Sequence, residues 1–143
     1  MALTDEKIRA ALRDPSRHPP SARLLGFDLL DFSVENGWAE VAFTMRPEFA
    51  NPAGNVQGGF ICAALDDAMS VAASISKRFE MFVPTLQISV TYLAPTPIAR
   101  VVARGEVLRF GNSSVVMQGA LRDAAGETLA VATSTAVPRP FPK

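Results

Sequence analysis

The sequence predicts an α+β domain in which a curved antiparallel sheet of about six strands wraps one long central helix, with a short helix ahead of it. Residues 58–77 contain no proline and are rich in Ala, Leu, Met and Ile, and a run of this length favours a helix over a strand. The run is apolar over most of its circumference, which indicates burial on nearly all sides. Strand-like segments lie before and after it, and a sheet that wraps the helix would bury it in this way.

Composition limits the compartment and the partners. The chain has 143 residues, enough for one domain with its own core, and 48% of them are hydrophobic. Its 14 Lys and Arg residues balance 14 Asp and Glu residues, which argues against nucleic acid or an anionic membrane as a partner.

Cys62 is the only cysteine, so no disulfide can form within the chain and we expect a reducing cytoplasm. Neither a signal peptide nor an apolar run of the ~18 residues that suggest a membrane span is recognisable.

The N-terminal part of the chain is predicted to be a helix and a linker. Thr4 is a suitable N-cap for a helix through about Arg13, and Pro15 would end it. The proline-rich residues 15–21 read as a linker in which His18 is exposed. The predicted boundaries are residues 1–23 for helix and linker, 24–138 for a single domain and 139–143 for a tail.

The predicted strands carry two signals of antiparallel pairing. Asn36-Gly37 is the strongest short hairpin signal in the chain, and it joins the first two strands. Residues 85–93 alternate strictly between apolar and polar side chains, and the three strands after them follow through short turns, as in a meander. The predicted strands are residues 26–34, 38–45, 85–93, 99–108, 114–121 and 128–137.

One face of the predicted long helix holds only acids and small residues. At about 100° per residue this face lies opposite the apolar one. Its members are Ala63, Asp66, Asp67, Ser70 and Ser74. Small residues allow close approach by a ligand or another backbone, and an acid among them would be partly desolvated, which raises its pKa and suits proton transfer. An alternative stays open, above all for Asp67, in which these acids contact solvent or a neighbouring loop.

A glycine-rich loop, residues 51–59, leads into this helix. Gly58 and Gly59 would open the helix, where the first N–H groups have no internal partner and lie at the positive end of the dipole. This position suits binding of an anion or polarisation of a carbonyl. The loop contains no GxGxxG or GxxxxGK[ST] motif, so a nucleotide phosphate site is not supported.

Other kinds of catalytic centre find little support. His18 and Cys62 lie far apart, and no HxxH or CxxC spacing suggests a metal site. A Ser-His-Asp triad would have to use His18, and no GxSxG motif is present. The remaining candidates are a carboxylate, a backbone oxyanion site and neutral polar side chains, which suit attack by water on an activated acyl group such as a thioester.

Several short motifs, taken in order, resemble those of the hotdog-fold acyl-CoA thioesterases, in particular the PaaI-like, phenylacetate-degradation group. They span about residues 24–137. The matching residues are Asn51, Gly54, Gln57-Gly58-Gly59, Asp66, Thr85, the Tyr92-to-Pro95 phrase, the Gly111-Asn112-Ser113 turn and the final Ala- and Thr-rich strand. The resemblance implies hydrolysis of acyl-CoA to a carboxylic acid and CoA, with no cofactor beyond the CoA of the substrate. It also implies a homodimer with sites between subunits, often doubled to a homotetramer.

The resemblance also implies roles for individual residues. Asp66 would activate water as a general base or, less in keeping with the pattern, act as a nucleophile. The Gly58 N–H would hold the thioester oxygen, Asn51 would position the water or the carbonyl, and Thr85 would orient the water with Asp66. The expected substrate-binding residues are Gln57, Gly59, Arg109, Asn112, Ser113 and Ser114, of which the last four would meet the CoA phosphates.

Gln57 departs from the family pattern, which has a histidine at this position. Glutamine keeps a donor and an acceptor but cannot titrate. Two other hypotheses therefore stay open beside the thioesterase: a noncatalytic acyl-CoA binding or regulatory protein and a purely structural domain. Candidates for lining an acyl pocket, with a core position as the alternative for each, are Phe60, Met69, Met81 and Phe82.

Overall fold

The computed structural model of the protein describes residues 2–142. The helices are α1 (Asp5–Leu12), α2 (Pro20–Leu24) and α3 (Gly58–Ser76), with single 3₁₀ turns at Pro15–Arg17 and Pro47–Phe49. The strands are β1 (Asp28–Ser33), β2 (Trp38–Thr44), β3 (Met81–Phe82), β4 (Thr85–Tyr92), β5 (Arg100–Phe110), β6 (Val115–Arg122), β7 (Thr128–Ala136) and β8 (Arg139–Pro140). The long helix and all six predicted strands are confirmed, with ends that differ by one or two residues.

Six strands form one antiparallel sheet in the order β1-β2-β5-β6-β7-β4. The predicted meander is β5-β6-β7, and β4 pairs with β7, so the sheet ends at β1 and β4. Gly37 has φ +64° in the β1–β2 turn, a conformation that glycine adopts at little cost.

Helix α3 packs against β2, β5 and β6, and its Leu65, Met69 and Ile75 side chains are fully buried. Gly105 of β5 allows the helix to come this close, because a Cβ at that position would lie 2.4 Å from the carbonyl oxygen of Ala68. The helix is long and apolar enough to cross a membrane, with a mean hydropathy of 1.3, but half of that window is buried by the rest of the chain, as in a core helix.

The N-terminal segment is more ordered and more buried than the sequence indicates. Thr4 caps α1 as predicted, since its side chain accepts from the Lys7 N–H. The expected linker instead contains a 3₁₀ turn and α2. The prediction that His18 is exposed is wrong: the side chain is buried, Nε2 lies 2.7 Å from the Leu12 carbonyl oxygen, and the ring packs edge-on against Phe27.

Both ends of the chain meet just after α3. Arg78 has φ +50°, and its guanidinium donates to the Leu3 carbonyl at 3.0 Å and to Asp5 Oδ1 at 2.6 Å. The C-terminal residues predicted as a tail include β8, which pairs with β3, and the Phe141 N–H donates to the Glu80 carbonyl at 3.1 Å. The two termini therefore lie beside the C-terminal end of the helix.

Candidate active site

Helix α3 begins at Gly58 because Gln57 caps it. The Gln57 Oε1 accepts from the Gly59 N–H at 2.8 Å, which satisfies one of the first N–H groups of the helix. No hydrogen bond from the Gly58 N–H is found within residues 2–142. This N–H lies at the positive end of the helix dipole and can donate to a ligand oxygen.

Tyr92 fixes the start of α3 against the edge of the sheet. Its hydroxyl donates to the Gly58 carbonyl at 2.6 Å. A Cβ on Gly58 would lie 3.0 Å from the Tyr92 hydroxyl oxygen, so the contact depends on glycine. Burial, followed by the nearby Cys62, raises the pKa of Tyr92 and keeps the hydroxyl a donor. Sequence reasoning did not assign Tyr92 to the site, although the Tyr92-to-Pro95 phrase was a signal for it.

Asn51 organises the loop that precedes the helix. Its Oδ1 accepts from the Ala53 N–H at 3.0 Å and from the Asn55 N–H at 3.1 Å. Its backbone N–H donates to the Asn55 carbonyl at 2.7 Å, which closes the turn. The Asn51 side-chain oxygen is therefore engaged within the loop, and its role in positioning water or the carbonyl stays a prediction.

Asp66 and Thr85 meet between the middle of α3 and the start of β4. The Thr85 hydroxyl donates to Asp66 Oδ1 at 2.7 Å. A carboxylate has acceptor sites on both oxygens, so this bond orients the side chain and leaves capacity to accept from water. The pair can therefore hold a water molecule and take its proton.

Asp66 and Thr85 lie at the edge of a cavity of about 860 Å³. One wall is the face of α3 made of acids and small residues. Asp67, Ser70 and Ser74 continue it beyond Asp66. The other walls are largely apolar and come from both ends of the chain and from the segment after α3; they include Leu3, Leu12, Phe79, Phe82 and Phe141. The cavity can hold an acyl group of substantial size next to the carboxylate.

Asp67 lines this cavity. The side chain is half-buried, and its Oδ2 is fully buried without a hydrogen-bond partner in the described part of the chain. Burial, and then the charge of Asp66, raises the pKa of Asp67 to about 6, while His18 acts in the opposite direction. The raised pKa expected on this face of the helix thus occurs at Asp67.

The site residues fall into two groups that lie apart within one chain. Gln57, Gly58 and Gly59 form what we call the loop half-site, and Asp66 and Thr85 form the carboxylate half-site. Gly58 and Asp66 are eight residues apart in one helix, a rise of roughly 12 Å. A water and the carbonyl it attacks must lie within about 3–3.5 Å of each other. The two half-sites therefore do not adjoin along the helix axis.

The remaining predicted substrate-binding residues are in the β5–β6 hairpin: Arg109, Asn112, Ser113 and Ser114. The Gly111 N–H donates to the Ser114 carbonyl at 2.9 Å and closes the turn. Lys77 Nζ lies 4.6 Å from the centre of the Phe110 ring, so the hairpin is beside the C-terminal end of α3. None of the four lines the cavity, and their contact with CoA stays a prediction.

Of the four candidates for an acyl pocket, Phe82 lines the cavity. Met69 is fully buried in the core between α3 and the sheet. Phe60 stacks on Phe49 with ring centres 4.2 Å apart, outside the cavity. Met81 pairs with Pro140 in the small β3–β8 sheet, and its side chain is not among those that line the cavity.

Known proteins have similar sequences. The sequence profile of the thioesterase superfamily matches residues 53–130, which include both half-sites but not Asn51. A proposed esterase from Saccharolobus solfataricus is 30% identical over 104 residues, which are 71% of this chain and 74% of that protein. The superfamily profile and this relative each match more than half of this chain.

Solved structures agree with the sequence comparison. A phenylacetic acid degradation-related protein from Ralstonia eutropha superposes with a TM-score of 0.78 and 28% identity, covering 85% of this chain and 92% of that one. A Streptococcus mutans protein bound to acetyl-CoA superposes with a TM-score of 0.72 and 24% identity, covering 82% of this chain and 91% of that one. The resemblance seen in the motifs is confirmed: the chain belongs to the thioesterase superfamily and has its hotdog fold.

Proposed function

We propose that the protein hydrolyses acyl-CoA thioesters to a carboxylic acid and CoA, at sites that two chains build together. The observation that carries this proposal is the 2.7 Å hydrogen bond from Thr85 to Asp66 at the edge of the cavity. It orients a carboxylate beside a space that suits an acyl group. The Streptococcus mutans protein of the same fold binds acetyl-CoA, which supports a CoA ester as the ligand.

The proposed chemistry uses the two half-sites in turn. Asp66 takes a proton from a water molecule held with Thr85, and the water oxygen attacks the thioester carbon. Negative charge develops on the carbonyl oxygen, where the Gly58 N–H of the second chain stabilises it. The carbon–sulfur bond then breaks, and the proton held by Asp66 passes to the departing sulfur, which leaves as the CoA thiol. No cofactor beyond the substrate's own CoA is required.

Edge strand β4 supplies the surface on which the second chain would dock. It carries Thr85 at one end and Tyr92 at the other, and Leu86 on it is 66% exposed. An edge strand offers unpaired N–H and C=O groups to a second strand. Pairing of two β4 strands would bring the carboxylate half-site of one chain towards the loop half-site of the other. A homodimer, alone or doubled to a homotetramer, is thus the active form that we propose in the cytoplasm.

The test is thiol release from a panel of short, medium, long and aromatic acyl-CoAs. The wild-type protein should hydrolyse at least one ester above background. Asp66→Asn should lose most of that activity because asparagine is not a base, while Glu127→Gln, an exposed change outside both half-sites, should retain it. Full activity in Asp66→Asn, or no hydrolysis of any ester by the wild type, would refute the proposal.

A second candidate function is binding of acyl-CoA without turnover. It is favoured by Gln57, which caps the helix through the Gly59 N–H and cannot titrate. Calorimetry with the same esters separates the two functions. Tight binding with no thiol release supports the binding protein, whereas turnover that depends on Asp66 eliminates it.

A further inference from the structure

The α3 wall of the cavity leads from Asp66 to Phe79. Ser70 and Ser74 line the cavity after Asp66 along this wall. The Phe79 N–H donates to the Ser74 carbonyl at 2.9 Å, so Phe79, which also lines the cavity, lies directly past the end of the helix. Asp66 and Ser74 are eight residues apart, a rise of roughly 12 Å. The catalytic carboxylate and the Phe79 ring are therefore near opposite ends of this wall.

A second wall leads from Thr85 back to Phe82, and all four residues of this run line the cavity. Thr85 donates to Asp66 Oδ1 at one end, and Phe82 lies in β3 at the other. The centre of the Phe141 ring is 5.3 Å from that of Phe82 and 5.7 Å from that of Phe79. The two walls that start at the Asp66–Thr85 hydrogen bond therefore converge on Phe141, which lines the cavity as well.

Phe141 has the cavity on one side and solvent on the other. Its side chain is 41% exposed. The segment that carries it is attached by the two-residue pairing of β8 with β3 and by the Phe141 N–H, which donates to the Glu80 carbonyl at 3.1 Å. The ring thus forms part of the boundary between cavity and solvent, and its removal would open the cavity at the end far from Asp66.

We propose that Phe141 is a specificity-determining residue that limits the length of the acyl group by closing the end of the cavity opposite Asp66. This inference rests on the proposed function, which places the thioester beside Asp66 and the acyl chain along α3. Carbon–carbon bonds of ~1.5 Å advance about 1.25 Å each in a zigzag, so roughly 12 Å corresponds to an acyl chain of about ten carbons. A longer chain would meet the aromatic rings, and a packed wall admits further methylenes only with strain.

Binding of CoA analogues that cannot be cleaved measures this limit separately from hydrolysis. The probes carry a hexanoyl, decanoyl or tetradecanoyl chain, with a methylene in place of the thioester sulfur. Calorimetry with the wild-type protein should show tighter binding of decanoyl than of hexanoyl, because each buried methylene strengthens binding about fourfold. Tetradecanoyl should then bind about tenfold more weakly than decanoyl, the effect of overpacking at the closed end.

Phe141→Ala should remove the limit. The chain could then extend past the former wall into solvent, so the tetradecanoyl analogue should bind about as tightly as the decanoyl one. Binding of the hexanoyl analogue should change little, because this chain does not reach Phe141, whereas a general loss of structure would weaken all three. Phe141→Tyr keeps the ring and can place its hydroxyl in solvent, so it should keep the wild-type limit.

Leu24→Ala is the matched control. It also removes an exposed apolar side chain, since Leu24 is 47% exposed, but Leu24 is not among the residues that line the cavity. The control should bind all three analogues as the wild type does. If Phe141→Ala does not fold in thermal melts, Phe141→Leu removes part of the ring volume and should raise the affinity for tetradecanoyl by a smaller factor.

The outcomes separate this inference from the proposed function. If the wild type binds tetradecanoyl as tightly as decanoyl, or if the alanine and leucine variants keep the wild-type limit, Phe141 does not set the acyl length and the thioesterase proposal stands. Failure of every analogue to bind overturns both. A limit that is lost in Phe141→Ala and kept in Phe141→Tyr and Leu24→Ala supports the inference whether or not any ester is hydrolysed.

Discussion

The hydroxyl of Tyr92 donates a 2.6 Å hydrogen bond to the carbonyl oxygen of Gly58 and so joins the end of edge strand β4 to the first residue of helix α3. The two residues are 34 positions apart, and the bond holds the loop half-site in register with the strand that begins at Thr85. The two half-sites are therefore connected through β4. A shift of β4 at Tyr92 would therefore also move Thr85 at its other end.

Tyr92→Phe should lower activity more than stability. The variant keeps the ring and loses only the hydroxyl, so the cost in free energy of unfolding should be about 1 kcal/mol. The Gly58 N–H would be less firmly placed, and we expect kcat/KM for the best ester to fall several-fold. Thermal melts and initial rates check this, with Tyr92→Leu as the variant that also removes the ring. Unchanged kcat/KM in both variants would contradict a role for Tyr92.

Thr85→Val should impair the reaction without changing the shape of the site. Valine has nearly the size of threonine but cannot donate to Asp66, and hydrogen bonds to charged groups contribute about 1.5–3 kcal/mol. We expect kcat to fall about tenfold or more, with little change in KM. Thr85→Ser restores the hydroxyl and should recover most of the rate. If valine and serine variants have equal rates, the hydroxyl does not act through Asp66.

Mixing two inactive variants tests whether each site draws on two chains. Asp66→Asn destroys the carboxylate half-site, and Gly58→Val obstructs the loop half-site. Co-refolded in equal amounts, the variants should recover roughly a quarter of wild-type activity, since half the dimers are mixed and each has one intact site of two. Thiol release measures the recovery.

The matched control for this experiment mixes Asp66→Asn with Thr85→Val. Both changes affect the carboxylate half-site, so no mixed dimer contains an intact site and activity should not rise above the mean of the two variants assayed separately. Recovery in this control, or none in the first mixture when mixed dimers are present, would argue that the half-sites do not combine across chains.

Gly105→Ala should be severely destabilising. The new Cβ would lie 2.4 Å from the Ala68 carbonyl oxygen and 2.6 Å from Met69 Cα, and these backbone atoms cannot move without shifting the helix. We expect a loss of ~3 kcal/mol or more in free energy of unfolding. Gly119→Ala is the comparison, because its closest contact is the flexible Met69 side chain at 3.1 Å, and its loss should be smaller. Denaturant titration measures both, and equal losses would count against the argument.

Asp67 should make stability depend on pH. Burial and the charge of Asp66 raise its pKa from 3.8 to about 6 in the folded state. The folded state therefore binds the proton more tightly than the unfolded state, so stability falls as pH rises through about 4 to 6, and the full penalty applies above that range. Asp67→Asn removes the penalty and should stabilise the protein at pH 7.5 by up to ~3 kcal/mol, with little difference near pH 4.

Unfolding titrations at pH 4, 5, 6 and 7.5 follow this difference. Glu127→Gln, in an exposed turn, serves as the control for the loss of one acidic group. A difference between wild type and Asp67→Asn that stays constant with pH would show that the Asp67 carboxyl does not titrate near 6 in the folded protein.

The local patterns were enough to predict the fold, and with the motif resemblance they singled out the residues of both half-sites. The apolar run from residue 58, the Asn36-Gly37 turn and the alternation after Thr85 depend on neighbours in sequence, so they identify helix, hairpin and strand directly. The motif spacing singled out Asp66 and Thr85, which the structure brings within hydrogen-bond distance. The burial of His18 was not visible, because a proline-rich segment looks the same whether it is exposed or folded against the core.

The sequence by itself determined which residues face one another along the helix and the strands, because the periods of 3.6 and 2 are properties of the local backbone. Only the tertiary structure decided that Thr85 reaches Asp66, which of two adjacent acids has a partner, and that residues near both chain ends line the cavity. Those features depend on contacts between residues distant in sequence, such as Tyr92 with Gly58 and Arg78 with Leu3. Long-range packing therefore orients Asp66 by a hydroxyl, whereas Oδ2 of its neighbour Asp67 is buried without a donor among the described residues.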